Sequence, residues 1–146
     1  MGRGETTDAR EMKNVLESLG LPSNHIDTSR FPSKPAFANF HDALMEFLRS
    51  GKRPDAVLTY SDVAALQLCR CVADFGLNVP EDIAVIGHGN SEFSEFMQPP
   101  LASIECFSEE VAEKVCDMLM NRLQNPDSPK HSTTVKAKFI NRASAG

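Results

Sequence analysis

The apolar positions of this chain change period several times, and each change marks an element. Ala9, Met12, Val15, Leu16 and Leu19 recur at helical spacing, so Asp8 to Leu19 reads as an amphipathic helix that Gly20 ends. Leu21 to Pro35 has no period; Pro22, Pro32 and Pro35 punctuate it, and Ile26 is the centre of a candidate short strand. Phe37, Phe40, Leu44, Phe47 and Leu48 form the next helical stripe, closed at Gly51. Ala56 to Tyr60 is a short apolar run of the kind a buried parallel strand needs. Asp62 follows as the expected N-cap, its carboxylate accepting from free amides of the first turn. Ala65, Leu68, Cys69 and Val72 carry a helix as far as Gly76, since glycine takes the left-handed cap conformation without a Cβ penalty. Val79 to Asp82 turns the chain, and Ile83 to Ile86 is a second buried strand. Two parallel strands joined by one helix form a right-handed βαβ unit.

Beyond it, Ser91 to Gln98 holds Phe93, Phe96 and Met97 on a short segment read as exposed. Three large apolar side chains in a loop ask for a partner. Ala102 to Cys106 is a crossing strand, and Ser108 is the expected cap of a long helix. Glu109 and Glu110 suit its positive end, and Val111, Ala112, Val115, Cys116, Leu119 and Leu123 give it a broad apolar stripe. Gln124 to His131 is a Pro-containing loop, and Val135, Ala137 and Phe139 alternate with polar neighbours in a final, edge-like strand. The order of elements gives an α/β class: a three-layer α/β/α arrangement around a mostly parallel sheet.

Composition narrows the partners. With 146 residues the chain is long enough for one domain with a core, and 41% hydrophobic with 24% charged residues are ordinary globular values. A net charge of −5 argues against direct contact with nucleic-acid phosphates. No apolar run approaches the roughly 20 residues that span a bilayer. The first residues carry no hydrophobic signal core, so residence in the cytoplasm is expected. Cys69 and Cys71, two apart on a helix, face away from each other and cannot form a metal pair. All four cysteines read as buried, reduced thiols, and no metal or cofactor is expected.

In open α/β sheets, ligands bind outside the carboxyl ends of strands, near helix N-termini. Ser61 lies where the first βαβ strand meets its helix: a ligand-facing hydroxyl, or a residue that helps start the helix. Gly87-His88-Gly89-Asn90 ends the second strand, so His88, Gly89 and Asn90 are the other candidates, His88 also fitting a hydrogen-bonded strand end.

Arg53-Pro-Asp-Ala, Ser61-Asp62 before a helix, Gly76-Leu-x-Val-Pro-Glu-Asp-Ile, Val85-Ile-Gly and Pro99-Pro-Leu-Ala-Ser-Ile occur in one order. Together they resemble the effector-binding domain of the lactose-repressor (LacI/GalR) family of bacterial transcription regulators. The blocks span Arg53 to about Leu123, and Arg142-x-Ser144 resembles the family's usual ending. The resemblance implies one partial effector-binding and dimerisation domain over 1–146, corresponding to the C-terminal lobe. The Ser108–Leu123 helix then belongs to the other lobe, and without that lobe's sheet it would dock on a second copy or fold back on its own lobe. With one wall of the effector cleft absent, effector affinity should be weak or nil.

The resemblance further implies a small sugar or sugar-acid effector, allosteric control, and a homodimer. DNA would be read by a helix-turn-helix absent from these residues. Arg10 stands near the position of a pocket arginine, off register. Phe31 and Phe37 compete for an aromatic that stacks on the effector. Ser61 stands where family members often have Asn. Gly89 replaces an Asp that accepts from sugar hydroxyls, which suits an anionic sugar acid of the gluconate type, with Asn90 and His88 as alternative contacts. Phe93, Phe96 and Met97, with Leu66 and Arg70 on the βαβ helix, look like the family's homodimer face.

Two further classes compete. A periplasmic sugar-binding protein shares the fold. A Cys/His hydrolase would need a base beside a thiol at a strand-to-helix elbow; His88 ends a strand, but no cysteine is read at such an elbow, Cys106 leading toward the other lobe. No phosphate-binding glycine loop and no clustered strand-end aspartates support a nucleotide site or a phosphoacceptor domain.

Overall fold

The computed structural model of the chain describes residues 7–22, 36–51 and 53–146. Ile26 and Phe31 lie outside the described residues, as do the side chains of Ala9, Met12, Phe37 and Phe40. The chain divides into two compact units, Met1–Arg53 and Pro54–Gly146.

The first unit carries helices α1 (Thr7–Ser18) and α2 (Ala36–Arg49). Both end at a glycine in the left-handed region, Gly20 at φ 70° and Gly51 at φ 78°, which is why those two residues stop them. Leu44 and Leu48 of the α2 stripe are buried, as their spacing predicts. Val15 of α1 and Leu19 just past its end are more than half exposed.

The second unit is built on a four-stranded sheet. Its elements are β1 (Ala56–Leu58), α3 (Asp62–Asp74), β2 (Ala84–His88), β3 (Ala102–Glu105), α4 (Ser108–Gln124) and β4 (Lys138–Ile140). Short 3-10 turns cover Glu92–Phe96 and Ala143–Ala145. The strand order is β1-β2-β3-β4. β1, β2 and β3 run parallel, with Leu58 opposite Ile86 and Gly87 opposite Ser103; β4 closes the edge antiparallel to β3. The βαβ unit read from the sequence is therefore present. Ile83, Val85, Leu101 and Ala102 supply the buried centre of the sheet, and α3 covers one face with Ala64, Ala65, Leu68, Cys71 and Val72.

α3 ends as its glycine demands. Gly76, at φ 79°, lets its amide reach the Ala73 carbonyl while the Leu77 amide reaches that of Val72. The far end of the chain is pinned too. Ser144, fully buried, donates its hydroxyl to the Val85 carbonyl (2.6 Å) and accepts from the Ala102 amide (2.8 Å). It thereby bridges β2 and β3 near the start of their pairing.

Several readings need correction. β1 is not buried on both faces: Leu58 is 41% exposed and Tyr60 70%, because β1 is an edge strand among the described residues. The final strand pairs only from Lys138, not from Val135. Ser108 does not cap α4; the cap residue is Phe107, in the left-handed region and without a side-chain cap bond. Nor does α4 fold back on its own sheet, since it has no buried residue and Val115, Leu119 and Leu123 are each more than half exposed. The thiols are all free, but only Cys71 is buried; Cys69 and Cys106 are half-buried and Cys116 is exposed.

Candidate functional site

The carboxyl ends of three parallel strands meet on one rim, and a buried carboxylate holds them there. Gly87 and Ser103 are register partners on β2 and β3, so they share a face of the sheet. The start of α3 lies over that face. Its N-cap is Ser61, whose Oγ accepts from the Ala64 amide at 3.2 Å. Asp62 is the first helical residue, not the cap, and is fully buried. Ser103 donates its hydroxyl to one carboxylate oxygen at 2.6 Å, and the Ser91 amide donates to the other at 2.5 Å. The Asn90 amide in turn donates to Ser103 Oγ at 3.0 Å. One side chain thus ties the end of β1, the loop after β2, and β3.

Electrostatics follows from these contacts. Burial by itself would push the Asp62 carboxyl up, but the bonds from the Ser103 hydroxyl and Ser91 hold it below the ordinary 3.8. It is therefore an anion at neutral pH, neutralised by donors rather than by a cation. Space is equally tight. A Cβ on Gly87 would lie 2.1 Å from Asp62 Oδ1 and 2.9 Å from Leu101 Cδ2, so β2 passes the carboxylate at a distance only glycine permits.

Four of the sequence candidates come together on this rim. Ser61 is there, with its hydroxyl oxygen engaged by the cap bond. His88 ends β2 and is exposed. Gly89 turns the chain at φ 113°, and Asn90 follows at φ 49°, a conformation asparagine tolerates. Asn90 is not a free acceptor: Arg142 Nη2 donates to its Oδ1 at 2.9 Å, and its Nδ2 donates to Glu105 Oε2 at 2.7 Å. Arg142 also holds the Leu101 carbonyl at 2.7 Å. Arg10 is exposed on α1 in the first unit.

Sequence reasoning missed Gly87, Ser103, Glu105 and Arg142 as parts of this arrangement. A signal existed for two of them: a lone serine in the apolar run Leu101 to Ile104, and the Arg-x-Ser ending. Glu105 matters because its carboxyl, lowered by the Asn90 amide and the Phe107 N–H, leaves a carboxylate at the strand ends although Gly89 lacks one.

The sequence also separated two groups that the sheet joins. His88 pairs with Ile104 in register, and Cys106 lies two residues further on, so alternation points both side chains to the face opposite Asp62. Cys106 Sγ is 3.2 Å from His88 Nε2. Cys106 does stand at a strand-to-helix junction, two residues before α4, contrary to the sequence reading. It is not a hydrolase elbow, however. The Phe107 N–H, which would follow the nucleophile as an oxyanion donor, is taken by Glu105 Oε1 at 2.9 Å.

Of the interface candidates, Leu66 is 46% exposed, Arg70 is exposed and paired with Asp74, and Phe96 is 76% exposed. Phe93 is half-buried. Met97 is 8% exposed and belongs to the core, because the 3-10 turn before it directs it inward. Among the described residues no helix is long and apolar enough to cross a membrane, and no three His, Cys, Asp or Glu side chains cluster as a metal site.

Parallel strands ending on a polar rim beside a helix start define a binding domain of the open-sheet class, and the family model described as a periplasmic binding protein-like domain matches residues 5–145. The lactose operon repressor of Rhizobium radiobacter is 36% identical over 93 residues, which cover 64% of this chain and 81% of that protein. The chain belongs to the lactose-repressor (LacI/GalR) family, as part of its effector-binding domain. The ribose operon repressor of Escherichia coli (strain K12) is 32% identical over 127 residues, 87% of this chain but 37% of that protein. The chain thus spans a little over a third of that relative. A LacI family transcriptional regulator from Arthrobacter sp. FB24, solved in complex with lactose, superposes with a TM-score of 0.77 at 22% identity, over 99% of this chain and 52% of that one. These relatives are named as repressors and regulators, not enzymes.

Proposed function

We propose that this chain is the effector-sensing part of a cytoplasmic sugar-responsive repressor. A small neutral sugar docks against the carboxyl rim of β1, β2 and β3, and its binding shifts the population of a two-lobed, dimeric protein between states that differ in DNA affinity. DNA contact falls to a helix-turn-helix beyond these residues, because a segment of net charge −5 is poorly matched to phosphates. The observation that carries this reading is the rim itself. Asp62, at the start of α3, is tied to the loop after β2 and to Ser103 of β3, which supports polar backbone and side chains at 61 and 88–90 as preorganised for a ligand.

A neutral sugar is favoured over the sugar acid that Gly89 alone suggests. Glu105 supplies a carboxylate at the strand ends, which repels an anion and accepts from sugar hydroxyls. Leu66, Phe96 and the flank of Phe93 form the homodimer face, with Arg70 at its edge. The stripe of α4 is the surface that the other lobe of the full-length protein covers.

The test is a titration followed by amide NMR, which detects millimolar binding by a single lobe. Lactose, ribose or a related neutral sugar is expected to move the amide signals of Ser61, Gly89 and Asn90 selectively, and gluconate to move them less. Shifts that avoid these residues with every sugar tried would overturn the assignment.

A further inference from the structure

We propose that Cys106 and His88 form a thiol-modification site that captures soft carbon electrophiles, specifically α,β-unsaturated carbonyl compounds. The site is built by register. His88 closes β2, Ile104 lies opposite it on β3, and Cys106 follows on the same face, which brings Sγ within 3.2 Å of Nε2. At that distance a proton passes directly between sulfur and nitrogen. The Glu105 carboxylate already accepts from the Asn90 amide and the Phe107 N–H, and the Ile104 carbonyl lies farther from Sγ, at 3.9 Å, so the imidazole is the thiol's proton acceptor. Cys106 is half-buried and His88 exposed, so a small reagent reaches the sulfur.

The step balances without an oxidant. His88 Nε2 takes the thiol proton, and the sulfur lone pair forms an S–C bond to the β-carbon of the electrophile. The C=C π bond breaks, its electron pair moving toward the carbonyl oxygen as an enolate. The imidazolium then returns the proton to the α-carbon, leaving a neutral thioether and a neutral histidine. This inference does not rest on the sugar reading: in sugar-free protein it follows from the Sγ–Nε2 geometry alone.

The chain carries its own controls. Burial pushes the Cys69 and Cys71 thiols up to about 11, so they stay protonated and slow at neutral pH. Cys116 is exposed on α4, and among the described residues no imidazole is hydrogen-bonded to it. The experiment treats the full chain with limiting acrylamide at neutral pH and reads the modified cysteines by peptide mass spectrometry. Cys106 is expected to react about tenfold faster than Cys116. His88→Gln is expected to bring Cys106 down to the Cys116 rate and leave Cys116 unchanged. Equal or slower reaction at Cys106 in the unaltered chain overturns the proposal, as does an unchanged Cys106 rate in folded H88Q. Should H88Q fail to fold, the ratio in the unaltered chain decides alone.

Discussion

Gly87→Ala is expected to destabilise the second unit by about 4 kcal/mol or more, enough to leave a marginal domain largely unfolded. The reason is a collision with no soft partner. The new methyl would sit 2.1 Å from Asp62 Oδ1 and 2.9 Å from Leu101 Cδ2, and both of those side chains are fully buried. Asp62 cannot swing away without releasing the Ser103 hydroxyl and the Ser91 amide, which would leave buried donors unpaired. Backbone movement is no remedy, because Gly87 pairs with Ser103 of β3 and directly follows Ile86, which pairs with Leu58 of β1. Gly76→Ala is the internal comparison. It also adds a methyl, but into open space, and only the φ of 79° is strained, so about 1 kcal/mol is lost. Urea unfolding of the two variants should separate them widely; equal midpoints would show that the carboxylate does not lie against β2.

Asp62→Asn is expected to lower stability by about 3 kcal/mol near neutral pH. Asparagine preserves shape, but it has one acceptor where two donors converge. Its NH2 group faces either the Ser91 amide or the Ser103 hydroxyl, and the charge-assisted character of both bonds is lost. The effect has a pH signature. The Asp62 carboxyl titrates below its ordinary 3.8 in the folded chain, so its contribution is fully present above that ordinary value and disappears as pH falls through the depressed one. The gap between the parent and D62N should therefore be widest near neutrality and shrink as pH falls below 3.8. A gap that is independent of pH would mean that the carboxylate's charge is not what matters.

The βαβ unit was legible because its signals are local. Helical spacing in α3, a glycine where its last turn needs φ of 79°, and two apolar runs suffice to draw it. The hub was not legible, because Ser61 and Asp62 are both competent caps and nothing local ranks them. The choice is made by Ser103, 41 positions away, and Ser91, 29 away, which supply donors that a capping aspartate would forgo. Met97 was misread for a similar reason: an apolar residue after a turn carries no period, so its direction is set by the 3-10 geometry of Glu92–Phe96. The Cys106–His88 pair escaped because each residue was visible only as the end of its own strand. What joins them is the register of two parallel strands, and a parallel register is fixed by packing across the sheet rather than by any turn in the sequence.

Residue-resolved amide hydrogen exchange at Ser91 tests most directly whether Asp62 joins the strand ends. Ser91 lies in a loop and pairs with no strand, so ordinary loop exchange is expected of it unless the carboxylate holds its N–H. If the hub exists, that amide exchanges as slowly as those of Val85 and Ile86 in β2, and becomes fast in D62N. A Ser91 amide that exchanges freely in the parent chain would contradict the arrangement on which the rim depends.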